Sequence, residues 1–434
     1  LSLAKPAMRG RINAMSSDLK QILMFFIVFL VVVILTVILV TVCRRALAFR
    51  RYRILDRLRE KFGEKIRHML DKGMRPEAFT AFSFRKRSLE WQAVEFVLMA
   101  LVEEKKYEAA GTALFEQLGY RLYYEEVLKK QSIIERSVAA DKLGKMRCEA
   151  SVVKLVFLLE EDNPELACVA IRALSKIGTQ NALKSVLRRV PGLYSRLLVT
   201  RKSIEQALLN FGLPGAQEMV RAGEQYDDPV AKAFVLEVLG DLKFTEALPF
   251  ALRCLEHQAS EVRSKALKLI GAAGGDLPAG EKEKVEPLLE DPVWFVRLNA
   301  AKAVGALGHC AKPAMLAKRM MDEKWQVRNA AATAVIVAVP NPAEVFLETL
   351  SATDPYAKES ICEEIQKTGF MYRLIENLDP PGTGVYETSR KILSIMASVG
   401  YGTPLTEYMK NNAGSGIAKE LASIVTADKA GAAR

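Results

Sequence analysis

The chain has 434 residues, 50% of them hydrophobic and 26% charged, a globular rather than a disordered composition. Its net charge of +11 is confined to one end: residues 1–90 hold 19 Lys and Arg against 7 Asp and Glu, whereas residues 91–434 hold 43 against 44. The larger part is near neutral, which argues against a domain that grips nucleic acid through its phosphates, because such binding needs many cations on one surface.

Residues 1–21 form a short segment carrying Lys5, Arg9, Arg11 and Lys20. Residues 22–43 follow without a single charge, and 18 of these 22 are Leu, Ile, Val or Phe. As a helix this stretch is ~33 Å long, slightly more than the hydrocarbon core of a bilayer. Insertion is favoured by at most ~5–11 kcal/mol at ~0.3–0.6 kcal/mol per large apolar residue. Thr36 and Thr41 interrupt it with hydroxyls that can bond to carbonyls one turn back. The run exceeds the ~7–15-residue core of a signal peptide, and Ala46-Leu47-Ala48 lies among basic residues, so a retained transmembrane helix is expected over a cleaved leader. Val40-Thr41-Val42-Cys43 lacks the small residues of a bacterial lipoprotein box.

Cations set the orientation. Residues 44–63 carry eight (Arg44, Arg45, Arg50, Arg51, Arg53, Arg57, Arg59, Lys61) against the four upstream, which places the N-terminus outside and the C-terminal side in the cytoplasm of an inner membrane. Leu1, Met8 and Met15 are alternative starts; beginning at Met15 leaves Lys20 as the one upstream cation and strengthens the bias. Residues 44–88 read as a basic juxtamembrane helix and linker, with Leu47, Tyr52, Leu55, Leu58, Phe62, Ile66 and Leu70 at helical spacing. The cluster Arg44, Arg45, Arg50, Arg51 and Arg53 either holds anionic headgroups, at ~1 kcal/mol per cation, or serves topology alone. Residues 89–131 read as two or three amphipathic helices, with Trp91, Phe96, Phe115, Tyr120 and Tyr124 among the strongly apolar positions, forming a cap.

The rest, 132–434, is repetitive. Val262-Arg263, Val296-Arg297 and Val327-Arg328 recur at spacings of 34 and 31, and Gly240, Gly271 and Gly305 at 31 and 34. A period in the low thirties with helical patterning throughout means stacked helix pairs, none of which can bury its apolar stripe alone. In the clearest unit, 281–289 is a short amphipathic helix, Asp291-Pro292 makes the turn, and 293–307 is a second helix with Ala300, Ala301, Ala303 and Val304 on its packing face. Residues 194–211 read as a longer helical unit. Weaker units follow through Asp354-Pro355 and 385–400 to a last helix near 417–425. About nine or ten helix pairs are predicted.

Asp291-Pro292 with Val296-Arg297, Ala300-Ala301, Ala303, Gly305 and Leu307-Gly308, echoed by Asp322 with Val327-Arg328 and Ala330-Ala331, resembles the HEAT family, in particular the HEAT-like repeats of bacterial proteins related to phycobilisome lyases. The resemblance implies a HEAT-type α-solenoid, so that with the apolar run the chain reads as an all-α fold, a single transmembrane helix followed by the solenoid. It also implies a structural hydrogen-bonded ladder made by Asp291, Arg297, Asp322 and Arg328. At Asp162-Asn163-Pro164 the arginine is missing, so the ladder is expected to break there. The order of anchor, basic helix, cap and repeats also resembles bacterial membrane-tethered HEAT proteins associated with envelope polysaccharide machinery.

No phosphate-binding, dinucleotide, zinc-protease or nucleophile-elbow motif occurs. The six cysteines form no C-x-x-C pair and read mainly as buried hydrophobes in a reducing compartment, and the three histidines have no partner at metal spacing. Neither cofactor, metal nor small-molecule substrate is expected. Trp294 and Trp325 share one repeat position, where they either form an exposed aromatic ridge for a partner or pack across the turn. The leading expectation is a membrane-tethered cytosolic scaffold that binds a partner protein, itself membrane-associated, as in an envelope polysaccharide or other membrane complex. The alternatives are a HEAT-like enzyme of chromophore lyase or DNA glycosylase type, for which only fold analogy speaks, and a lipid-surface sensor acting through the basic helix.

Overall fold

The computed structural model describes the backbone of residues 5–432 except 353, and side chains within 24–426 apart from 27, 76 and 353. Segment 1–21, with its four cations and the candidate starts Leu1, Met8 and Met15, lies outside the described side chains. Among the described residues every element is helical, and the chain divides into two units, Leu1–Glu126 and Val127–Arg434.

The first unit is organised by one helix of 67 residues, α1 (Lys5–Asp71). Every described side chain from 24 to 43 is exposed, so this stretch is apolar all round with nothing packed on it. It is long and apolar enough to cross a membrane. Thr36 Oγ1 donates to the Val32 carbonyl at 2.8 Å and Thr41 Oγ1 to the Val37 carbonyl at 2.7 Å, so neither hydroxyl is left facing outward unsatisfied.

Farther along, α1 acquires one buried stripe, Leu55, Phe62, Ile66 and Met69, at the three-, four- and seven-residue spacings of a single helical face. That stripe packs on α2 (Leu89–Glu103), started by Ser88, whose hydroxyl accepts from the Trp91 amide at 3.1 Å. Two shorter helices, α3 (Glu108–Gln117) and α4 (Tyr120–Val127), supply Phe115, Tyr120 and Tyr124 to an aromatic core around Trp91. The Tyr120 hydroxyl donates to the Trp91 carbonyl at 2.8 Å, and Tyr124 donates to the buried Glu95 carboxylate. Phe62 stacks on Phe84 at 5.3 Å and meets Phe82 edge-on at 5.8 Å. Residues 55–88, grouped by composition with the juxtamembrane segment, thus share a core with 89–126.

In the second unit eight helices form a continuous row, each packed on the next: α5 (Ile133–Lys145), α6 (Pro164–Ile177), α7 (Arg201–Leu209), α8 (Pro229–Asp241), α9 (Ser260–Ala273), α10 (Trp294–Leu307), α11 (Trp325–Ala338) and α12 (Pro355–Lys367). Shorter helices such as Val152–Glu160, Pro313–Arg319 and Pro342–Leu350 pack behind them. At the C-terminal end α13 (Gly384–Met396) turns onto Pro342–Leu350, and α14 (Gly416–Ala432) packs on α13. The ten helices α5–α14 give the helix-pair solenoid its length. Polar N-caps followed by proline start several of them: Asn163 accepts from the Leu166 amide at 3.0 Å and Asp228 from the Ala231 amide at 3.0 Å.

The row is drawn tight by glycine. A β-carbon on Gly144 would lie 2.5 Å from Ala173 Cα, and on Gly240, Gly271 and Gly305 it would lie 3.2–3.3 Å from Leu269, Ala303 and Ala334 backbone atoms. The recurrent glycine is therefore the point where adjacent row helices touch backbone to backbone.

Two local expectations are corrected. Residues 194–211 are not one helix: Val190–Ser195 ends, Leu197 takes φ 54°, and Thr200 restarts the chain as the cap of α7, accepting from the Ser203 amide at 3.3 Å. The stretch 281–289 is largely 3-10 (Glu283–Glu290), because Pro287 lacks the amide that an α-helix would use there.

Candidate functional site: a groove on the helix row and the ladder beside it

The ladder residues lie at the turns between helix pairs. Arg297 forks onto Asp322, Nε at 2.7 Å and Nη2 at 3.0 Å, while its Nη1 donates to the carbonyls of Asp291 and Pro292. One repeat earlier Arg263 holds Asp291 in the same fork, at 2.7 and 3.0 Å. Each aspartate also accepts an amide two residues on, Asp291 from Val293 at 2.8 Å and Asp322 from Lys324 at 3.1 Å. One carboxylate therefore caps its own turn and ties it to the preceding repeat.

The structure brings Arg297 to Asp322 and Asp291 to Arg263. Arg328, by contrast, donates to Ser360 Oγ at 3.0 Å and to the Asp322 carbonyl, while Asp354 caps α12 through the Tyr356 amide at 2.9 Å. Arg263 and Ser360 were not singled out from sequence; the Val262-Arg263 repeat was the signal for the first, and nothing in the sequence pointed to the second. At the break expected near Asp162, a surface arginine from the next corner, Arg196, reaches Asp162 at 3.3 Å.

Burial pushes the Asp322 carboxyl up, but the bonds from Arg297 and the Lys324 amide, with Arg319 nearby, hold it below the usual aspartate range. Arg297 is raised by the same pairing with Asp322. A second charged tie lies earlier in the row. Arg201 of α7 donates at 2.8 Å to each of Glu205, Glu237 and Glu261, and Lys265 reaches Glu237 at 2.6 Å. Burial opposes ionisation of Glu237, yet Lys265 and Arg201 bring it down to about 2. Burial raises Glu205, with Glu237 beside it adding to the effect. This network joins α7, α8 and α9, and composition gave no hint of it.

Between α10, α11 and α12 the open side of the row contains a groove of ≈ 510 Å³. Ala301, Gly305 and Ala330 leave it room, for the small residues that let helices approach also fill little space above the seam. Trp325 and Val337, 59% and 58% exposed, border it with apolar surface. Lys302, Glu364 and Lys367 supply charge. Glu364 is buried, accepting from Thr333 Oγ1 at 2.9 Å and Lys367 Nζ at 3.0 Å, and Asn329 Oδ1 in the groove wall is buried with no hydrogen-bond partner among the described residues. Trp294 occupies the equivalent first position of α10, set edge-on against Phe295 at 6.0 Å, and does not line this groove.

The basic cluster belongs to the first unit. Arg44, Arg45 and Arg50 are exposed, Arg51 donates to Gln92 Oε1 at 2.9 Å, and the Arg53 guanidinium lies 4.5 Å from the Phe49 ring centre. Burial pushes the thiols of Cys254 and Cys310 up to about 11 and that of Cys362 to about 12, which makes all three poor nucleophiles at neutral pH. Among the described residues no three His, Cys, Asp or Glu side chains gather as a metal site requires.

Residues 283–311 match the HEAT repeat family model. The fold is similar to that of an engineered protein, at 16% identity and a TM-score of 0.33 over 81% of this chain and 98% of the other. It is also similar to Kap121p, at 12% identity and a TM-score of 0.40 over 79% of this chain and 46% of the other. Comparison with curated proteins gives no match.

Proposed function

We propose that this chain is a membrane-tethered scaffold: α1 crosses a bilayer, with the C-terminal side in the cytoplasm, and the helix row of the second unit holds a partner protein. The observation that carries the reading is the groove at Trp325. A large exposed indole and Val337 flank a pocket whose lining includes a buried carboxylate and an unsatisfied amide oxygen, the mixture of apolar anchor and fixed polar groups found at protein-binding hot spots. An apolar helix with no protein packed on it supports the tether, and a tether raises the local concentration of the row beside other membrane proteins. Within this reading the partner is itself membrane-associated, and Arg263, Asp291, Arg297, Asp322 and Arg328 keep the groove in shape without touching the partner.

The test is site-specific photocrosslinking of the full chain in membranes, with the crosslinker at Lys302 or Val337 in the groove and at Lys284 behind the row. One defined partner is expected from the groove positions only. Trp325→Ala should weaken its capture by roughly tenfold or more, the usual cost of truncating a central tryptophan. Equal crosslinking from both faces, or capture indifferent to Trp325→Ala, refutes the groove.

A further inference from the structure

The first unit presents a second basic element at the same end as the arginine cluster, although 35 residues of chain separate Arg50 from Arg85. Its helices fix this. Arg51 meets Gln92 at 2.9 Å, the Arg59 guanidinium lies 3.9 Å from the Phe96 ring centre, Arg67 pairs with Glu104, and Asp71 accepts from Lys106 at 2.6 Å. Residue numbers rise together on both helices, so α2 runs parallel to α1. The chain between them must return toward the apolar stretch, and the turn Arg85-Lys86-Arg87 stands at the bottom of that return, just before Ser88 starts α2.

The turn is held open. Arg87 sits at φ 69°, a left-handed conformation that costs free energy in a residue with a β-carbon. Its Nε donates to the Tyr123 hydroxyl at 2.6 Å, and Tyr123 meets the core residue Trp91 edge-on at 5.2 Å. The buried aromatic core thus fixes a loop whose other two members, Arg85 and Lys86, are exposed. On α1, at about 100° per residue, Arg44, Arg45, Arg50, Arg51 and Arg53 point to all sides of the helix rather than to one stripe. From residue 44 to 59 the one acid is Asp56, itself paired with Arg59 at 3.0 Å. Exposed Leu47, Phe49, Tyr52 and Ile54 alternate with these arginines. Cations on every side with apolar side chains between them suit a helix that passes through a headgroup layer, not one that lies along it.

We infer that the end of the first unit nearest the apolar stretch is a binding face for anionic phospholipid headgroups, formed by Arg50, Arg51 and Arg53 of α1 together with the Arg85-Lys86-Arg87 turn. The inference rests on the bilayer-crossing reading of α1. It adds that the folded unit, and not the helix alone, engages the lipid surface.

The experiment uses the full chain in lipid nanodiscs of phosphatidylcholine, with or without phosphatidylglycerol, and follows acylation of Lys86 against exposed Lys243 of the second unit. Lys86 is expected to react about fivefold more slowly in anionic discs, with the difference lost at ~1 M salt and reduced by Arg85→Gln, while Lys243 is unchanged. Equal Lys86 rates in the two discs overturn the proposal, as does protection in neutral discs by a short RNA duplex but not by anionic lipid. Alkaline extraction separates the two readings: a chain washed off membranes at high pH removes the bilayer-crossing premise, whereas a retained chain with unprotected Lys86 removes this proposal alone.

Discussion

Arg297 and Asp322 show how much a single pair carries in a repeat array. Their side chains are 9% and 1% exposed, so removing the carboxylate charge leaves a buried guanidinium with only the exposed Glu323 carboxylate, 3.6 Å away, as counter-ion. Asp322→Asn is expected to cost about 3 kcal/mol of local stability, read as faster amide exchange in α10 and α11. The acid response follows from the same pair. Because Asp322 is held below the usual aspartate value, the unfolded chain takes up the proton first on acidification. The pair's contribution is full above about pH 4 and drains away as pH falls through the lower folded value. Thermal melts between pH 7 and pH 3 should therefore show a shallower acid limb in Asp322→Asn than in the parent, and identical limbs would exclude the pair as a source of acid sensitivity. The rung was expected from the resemblance to HEAT repeats, which Asp, Val-Arg and alanine at fixed offsets carry. Its ending at Ser360 was not, since that depends on which acceptor the next turn places within reach of Arg328.

For the elements, the recurring glycine sets how closely row helices approach. Gly144→Ala gains helix propensity of about 1 kcal/mol, but its new methyl would meet Ala173 backbone at 2.5 Å, where nothing flexible can yield. A net loss of about 2 kcal/mol is expected, since overpacking typically costs 1–3 kcal/mol or more. Gly192→Ala, in a helix with nothing within 4 Å of the added atom, is the control and should be neutral or mildly stabilising by chemical denaturation. If the two variants melt alike, the close approach has no energetic weight. The spacing of Gly240, Gly271 and Gly305 could be read from the sequence, because it is periodic. That each faces the next helix could not, because register between helices is set by the side chains around it. The corner at Leu197 escaped notice for a related reason: the apolar pattern continues through it, and only Thr200, a cap with no motif around it, marks the new start.

At the scale of the whole molecule the chain is two units with different chemistry, one basic around an apolar helix, with 22 Lys and Arg against 14 Asp and Glu, and one repetitive and nearly balanced, with 40 against 37. The charge split at residue 90 and the apolar run announced two kinds of sequence, but the division between the units falls at 126/127, because 89–126 pack with α1. The groove at Trp325 was half visible: the repeated tryptophan drew attention, but Trp325 borders the cavity and Trp294 does not. The polar wall of Glu364 and Asn329 depends on three helices meeting, which no linear pattern encodes. The proposed topology predicts that, in sealed inner-membrane vesicles with the cytoplasmic face outward, protease removes the second unit and leaves a membrane-embedded fragment containing 22–43. Full protection of the second unit would reverse the assigned orientation.

One consequence of α1 lies in its lack of a joint. The same unbroken helix supplies both the naked apolar stretch and the stripe of Leu55, Phe62, Ile66 and Met69 at the heart of the first unit. In a chain anchored as proposed it behaves as a shaft keyed into a hub. Any tilt, twist or vertical shift imposed on the buried rod by a thinner membrane or by a neighbouring span must be delivered undiminished to the unit fixed on its end.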